Sequence, residues 1–253
     1  MSYDLIYVNG ASYEAGAGLC QHEYLTDVEL QKYPEWLTNF PKIMTEEKMK
    51  ELWNLYDNGL EEREKQCAWP AHLSRMTGIP VQNEAVAGAS ASTTAIKTLE
   101  TNMKQHKGKK VLYIIGVCPN QGIWWPGSER GNDSILLNPY RKFPNTFERF
   151  IAEHIRDNAS REQVDHLYNI SFKGLYVYLK ERKRDCYFVH ADFGLADGSS
   201  GRARRPITGY LDEIAPNIDP TKDKVLTVCG HYTEDVHIEL AERIAKKIES
   251  GEI

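Results

Sequence analysis

The sequence is poor in cysteine: Cys20, Cys67, Cys118, Cys186 and Cys229 are five in 253 residues, odd in number, scattered and without a C-x-x-C pair. That pattern argues against a disulfide framework and a cysteine-based zinc site, and it fits reduced thiols in a cytosolic setting. No apolar run approaches the ~20 residues that a helix needs to cross a bilayer. The opening Met-Ser-Tyr-Asp lacks the basic and apolar regions of a secretory signal. A cytoplasmic protein without a membrane partner is the expectation. Charge of one sign is also lacking: 31 Lys and Arg stand against 36 Asp and Glu, a net charge of -5. A mildly acidic surface disfavours nucleic acid as a partner. The first strand is followed by neither G-x-G-x-x-G nor a P-loop lysine, which argues against a nucleotide-binding domain. No metal site and no organic cofactor are expected.

What is present is an alternation of short apolar runs with amphipathic stretches. Residues 4–8 (DLIYV) read as a buried strand ending in the turn Asn9-Gly10, residues 80–86 as a second strand, and residues 186–189 (CYFV) as a fourth. The third, residues 110–117, is nearly continuous in apolar residues, as expected for a strand buried on both faces. Helices are expected over 45–65, over a short stretch from Trp69 to Gly78 with Leu73 and Met76 on one face, through Ile96, Leu99 and Met103, and over 147–156 and 163–180. The last helix is the clearest: Thr233 suits its N-cap, Glu234 and Asp235 its first turn, and Val236, Leu240, Ile244 and Ile248 recur every four residues. Such alternation predicts an α/β fold, a three-layer α/β/α sandwich with a mainly parallel, flavodoxin-like sheet. Residues 1–253 read as one domain with loop insertions near 20–68, 118–145 and 194–224.

In such sheets ligands bind beyond the carboxyl ends of the strands. Ser12 follows the first strand, Gly88 the second and Asn120 the third, and His231 lies just before the last helix. A serine on such a turn becomes a nucleophile when a base takes its proton, and His231 is the candidate base. Residues 8–16 (VNGASYEAG) resemble the first block of the SGNH/GDSL hydrolases, G-D-S-x-x-x-G, with Ala11 in place of the usual Asp. Trp69-Pro70 and residues 83–90 (NEAVAGAS) are similar to the second block, and residues 231–237 (HYTEDVH) to the last. The blocks fall in family order along nearly the whole chain. The resemblance implies hydrolysis of acyl or acetyl esters, on a small molecule or a glycan, with Ser12 as nucleophile, His231 as base, and the backbone N–H groups of Ser12 and Gly88 around the oxyanion.

Two further positions depart from the family. Val228 stands where the catalytic Asp three residues before the His is usual, leaving a Ser-His dyad, another carboxylate such as Asp192, or lost activity. Cys118 aligns with the usual oxyanion Asn, and Asn120 serves only if the loop bulges; Gly131-Asn132-Asp133 lies too deep in the loop. Trp124 and Trp125 form either a sugar-stacking platform or an aromatic plug over the core. Arg202, Arg204 and Arg205 are either a hold for an anionic substrate or a solvated loop, and His237 reads as structural. The W-P…N-x-A-x-x-G-x-S arrangement resembles phage-encoded members. It leaves open an alternative: a weakly active or inactive binding protein, a homo-oligomer or a component of a virion.

Overall fold

A computed structural model describes residues 3–20, 47, 59–87, 89–117, 122–124, 134–136, 161–191, 210–214 and 231–253. Five parallel strands form the central sheet: β1 (Leu5–Asn9), β2 (Val81–Asn83), β3 (Val111–Val117), β6 (Asp185–Ala191) and β7 (Tyr210–Ile214), in the order β2-β1-β3-β6-β7. A separate antiparallel hairpin joins β4 (Gly122–Trp124) to β5 (Ser134–Leu136). The helices are α1 (Ser12–Ala15), α2 (Leu60–Cys67), α3 (Trp69–Thr77), α4 (Ala91–Gln105), α5 (Arg161–Glu181) and α6 (Glu234–Glu249).

Strand alternation sorts the core into two layers. Ile6, Val8, Leu112, Ile114 and Val189 turn toward one face, where Tyr13 of α1, Trp69 and Leu73 of α3, and Val236, Leu240, Ala241, Ile244 and Ile248 of α6 cover them. Tyr7, Tyr113, Ile115, Val117 and Phe188 turn to the other, under Ala91 and Ala95 of α4 and Phe172, Leu175 and Leu179 of α5. All seven residues of β3 are buried. Each aliphatic side chain removed from water contributes about 1.5–3 kcal/mol, so β3 is the element that the two layers share. This is the three-layer α/β/α sandwich expected.

Several expectations are corrected. Residues 194–224, read as loop, contain β7, a fifth parallel strand. Its sequence YLDEI carries two acids, and among the described strands it pairs with β6 alone, so no apolar run announces it. Residues 118–145, also read as loop, contain the hairpin, whose strands have three residues each. The strand expected over 80–86 stops at Asn83, whose Oδ1 accepts from the Ala85 N–H (3.1 Å) and turns the chain away. The helix expected through Ile96, Leu99 and Met103 starts at Ala91, where the Ser90 hydroxyl accepts from the Thr93 N–H (3.1 Å). The buried face of α4 is Ala91, Thr94, Ala95, Thr98 and Asn102, while Met103 is 54% exposed. On α3, Leu73 is fully buried and Met76 is exposed, so the two do not share a face. The helix expected over 147–156 lies outside the described residues; of the one expected over 45–65, Glu47 is helical and α2 begins at Leu60 after its own N-cap, the left-handed Gly59 (φ 92°).

The chain leaves β1 for β2 on one side and later returns to β3 on the other. The switch point therefore lies between the carboxyl ends of β1 and β3, where open α/β sheets form their crevice. Buried Asn9 fixes the end of β1. Its amide donates to the Tyr7 hydroxyl (3.2 Å), the Thr94 carbonyl (3.2 Å) and the Thr98 hydroxyl (3.0 Å), and its Oδ1 accepts from the Gly10 N–H (2.8 Å). The polar face of α4 is thereby explained: its threonines satisfy the last residue of the strand. Asn9→Ala strands these groups in a dry site and is expected to cost about 2–4 kcal/mol. The urea unfolding midpoint measures it, and a change within error contradicts the anchoring role.

Candidate active site

The turn after β1 is held from three sides. Ser12 is the first residue of α1 and half-buried. The helix ends after four residues at Gly16, whose φ of 74° is left-handed. The Ala17 N–H donates to the Ser12 carbonyl (2.8 Å). A Cβ on Gly16 would lie 2.5 Å from the Glu64 carbonyl oxygen, so glycine serves both the turn and the close approach of α2. From the β2 side, the Asn83 amide donates to the Glu14 carbonyl (2.8 Å). On the third side Ala11 packs with Ala89 and Val86, which brings the loop before α4 against the serine turn.

His231 reaches this turn from the far end of the chain. It is half-buried, and its ring lies 5.1 Å, centroid to centroid, from the ring of Tyr13, the residue after Ser12. The buried Tyr232 ring lies 5.5 Å from the same tyrosine. The loop is held by two braces between α6 and α3. The Trp69 N–H donates to His237 Nδ1 (3.1 Å), and His72 Nε2 meets Glu234 Oε1 (3.1 Å). Burial foremost, then the neighbouring His231 and His72, pushes the His237 pKa down to about 3. His237 is therefore neutral and accepts at Nδ1, which is the structural role expected of it.

The residue that the sequence reading missed is Glu14. It is 1% exposed, and its carboxylate occupies a niche between Gly10 and Gly116, where a Cβ on either glycine would collide with it. Asn9 pairs with Ile115, so these two glycines follow side by side at the ends of β1 and β3. Oε2 accepts from the Ala11 N–H (3.0 Å), half of a capping box, since Ala11 offers no side-chain acceptor in return. Oε1 is buried and has no hydrogen-bond partner among the described residues. Burial pushes the carboxyl pKa from 4.5 up to about 7, against the pull of backbone N–H groups and of His231. A glycine just after β1 and another near the end of β3 were the available sequence signal for a side chain lodged between them.

Gly88, Asn120, Asp192 and Trp125 lie outside the described residues, as do Cys118, residues 131–133, Arg202, Arg204, Arg205 and Val228. Trp124 ends β4. Among the described residues no three His, Cys, Asp or Glu side chains cluster in a way that could hold a metal ion. No described helix is long and apolar enough to cross a membrane.

No protein-family profile and no curated protein sequence matches the chain. Solved structures do. A carbohydrate esterase family 2 enzyme with a carbohydrate-binding domain, from Corynascus thermopiles (Myceliophthora fergusii), superposes with a TM-score of 0.51 at 11% identity, over 98% of this chain and 66% of that one. The chain has the SGNH/GDSL hydrolase fold. A protein assigned to the G-D-S-L lipolytic family from Desulfitobacterium hafniense DCB-2 superposes with a TM-score of 0.49 at 10% identity, over 96% of this chain and 98% of that one. A further carbohydrate esterase, whose active site is described as having divergent catalytic and non-catalytic binding functions, gives 0.48 at 13% identity, over 97% and 64%. At 11% identity the fold alone is shared with the carbohydrate esterase from Corynascus thermopiles, and the site rests on its own geometry.

The buried carboxyl makes a pH-dependent prediction. Glu14 holds its proton more tightly folded than unfolded, so its contribution to stability is complete below pH 4.5 and is lost as the pH rises through about 7. Glu14→Gln keeps an acceptor for the Ala11 N–H and removes the charge. Its stability gain over wild type is expected to be near zero at pH 4 and to grow to about 3 kcal/mol by pH 8. Thermal melts of both proteins across that range measure the difference, in which the His237 titration cancels. A gap that does not change with pH contradicts the buried charge.

Proposed function

We propose that the protein is a serine ester hydrolase acting on acyl or acetyl esters, with Ser12 as nucleophile and His231 as general base. One observation carries this reading: the His231 ring packs on Tyr13, so the histidine stands beside the residue next to Ser12, at the switch point of an SGNH fold. Ser12 Oγ attacks the acyl carbon while His231 takes its proton. The tetrahedral oxyanion is held by the N–H groups of Ser12 and Gly88, with Asn120 as a further candidate donor. Collapse expels the alcohol, which leaves with the proton from His231, and water attacks the acyl-enzyme by the reverse of these transfers. The packing of Ala11 against Ala89 and Val86 supports the part given to Gly88, because it lays that loop against the serine turn.

The substrate class proposed is an ester of a small molecule or glycan, with Trp124 and Trp125 as the sugar-facing residues. The fold shared with a carbohydrate esterase favours a glycan ester over a lipid.

General-base assistance is worth about 10²–10⁴ in rate, and each oxyanion donor about 10²–10³. Ser12→Ala is therefore expected to abolish hydrolysis of short acyl esters with an unchanged melting temperature, and His231→Ala to slow it by about 10²–10⁴. A fluorophosphonate probe should label the wild type at Ser12 and leave Ser12→Ala unlabelled. Wild-type turnover by Ser12→Ala would remove the nucleophile from this reading.

A further inference from the structure

A carboxylate buried in a protein needs a reason, because leaving water disfavours its charged form. The cap on the Ala11 N–H explains one oxygen of Glu14 and not the other. A neutral glutamine would satisfy that N–H equally well. The other buried glutamate described on this face, Glu64, accepts from the Gly18 N–H (2.8 Å), away from the switch point. Glu234 is exposed and spoken for by His72. Glu14 alone of the described carboxylates lies buried between the carboxyl ends of β1 and β3.

Among the described residues the charged and titratable groups around it are few. Glu14 interacts electrostatically with His231, and His231 in turn with His237, which also faces His72. His237 is neutral, with its Nδ1 occupied by the Trp69 N–H. Among the described residues the charge that can answer Glu14 is thus a protonated His231. Tyr13, one residue before Glu14, carries the ring on which His231 rests.

Resting on the esterase reading above, we propose that Glu14 is the positioning carboxylate of His231, supplied by the serine turn itself in place of the acid that Val228 does not provide. As Ser12 Oγ bonds to the acyl carbon, its proton passes to His231, and the imidazolium so formed is stabilised by the Glu14 carboxylate. The proton then goes to the departing alkoxide, and Glu14 ends the cycle as it began. It touches neither the ester nor the reacting atoms.

The test separates this claim from the esterase reading. The ring titration of His231 is followed by proton NMR in wild type and in Glu14→Gln, with His231→Asn giving the assignment. The rate of fluorophosphonate labelling at Ser12 is measured over the same pH range. Removal of the carboxylate is expected to lower the His231 midpoint by about one unit or more, to move the acid limb of labelling by the same amount, and to slow labelling at its plateau by about 10²–10⁴. In the reciprocal experiment, carbon NMR of the Glu14 carboxyl should show its midpoint rising further in His231→Asn. This arm needs only a variant at a half-buried loop residue and stands if Glu14→Gln does not fold. Labelled wild type with unchanged midpoints overturns the Glu14 assignment and leaves the esterase reading standing. Wild type that takes no label overturns the esterase reading, and this assignment with it.

Discussion

The ends of β1 and β3 approach each other at two glycines, and the space their missing side chains leave is filled by the carboxylate of Glu14. Much of the site's geometry depends on this contact. It fixes the pitch of α1 relative to the sheet, because Glu14 is tied below to the Ala11 N–H and above to the Asn83 amide. It sets where Ser12 emerges, since only Gly10 and Ala11 lie between the strand and the serine. It also fixes Tyr13, whose ring is the surface that His231 meets. Within this cluster a larger residue at Gly10 or Gly116 would displace the carboxylate and with it the turn.

Opposite this contact, the histidine end is positioned by packing at a distance. The α6 face of Val236, Leu240, Ile244 and Ile248 buries against β1, β3 and α3. His237 and Glu234 then lock its first turn to Trp69 and His72. The loop carrying His231 therefore starts from a helix whose rotation is set by apolar periodicity and whose axial position is set by two polar contacts. That division explains how residues 219 positions apart in the chain can be brought to one crevice without a metal or a disulfide among the described residues.

Much of this was legible in the sequence, for identifiable reasons. β3 shows as an unbroken apolar run because it is buried on both faces, and α6 shows as a four-residue period because it is buried on one. Strand–helix alternation gave the three layers, and block order singled out Ser12 and His231, of which the histidine ring packs on Tyr13, the residue after Ser12. Elements whose burial does not follow apolar content were not legible. The inward face of α4 is rich in threonine and asparagine because it satisfies Asn9 and Tyr113, so the apolar pattern pointed to the wrong side. β7 is acidic and pairs on one side only among the described strands. Glu14 was hidden by its type: a carboxylate on a short turn ordinarily faces water, and only the two glycines across the strand pair indicate otherwise.

On the proposed mechanism, a carboxylate two residues after the nucleophile changes the design of the site. An acid on the histidine's own loop moves with the histidine, whereas Glu14 moves with the serine. Misplacing α1 would then withdraw nucleophile and charge together, which makes the packing of that four-residue helix more critical than its size suggests. The same arrangement opposes stability to function. At neutral pH the fold would gain from a glutamine at position 14, because the dry niche disfavours the anion. A carboxylate there costs folding energy, and on the proposed mechanism the charge that offsets the cost appears only while His231 holds the proton from Ser12. That is the condition under which a buried anion favours a transition state over the resting enzyme.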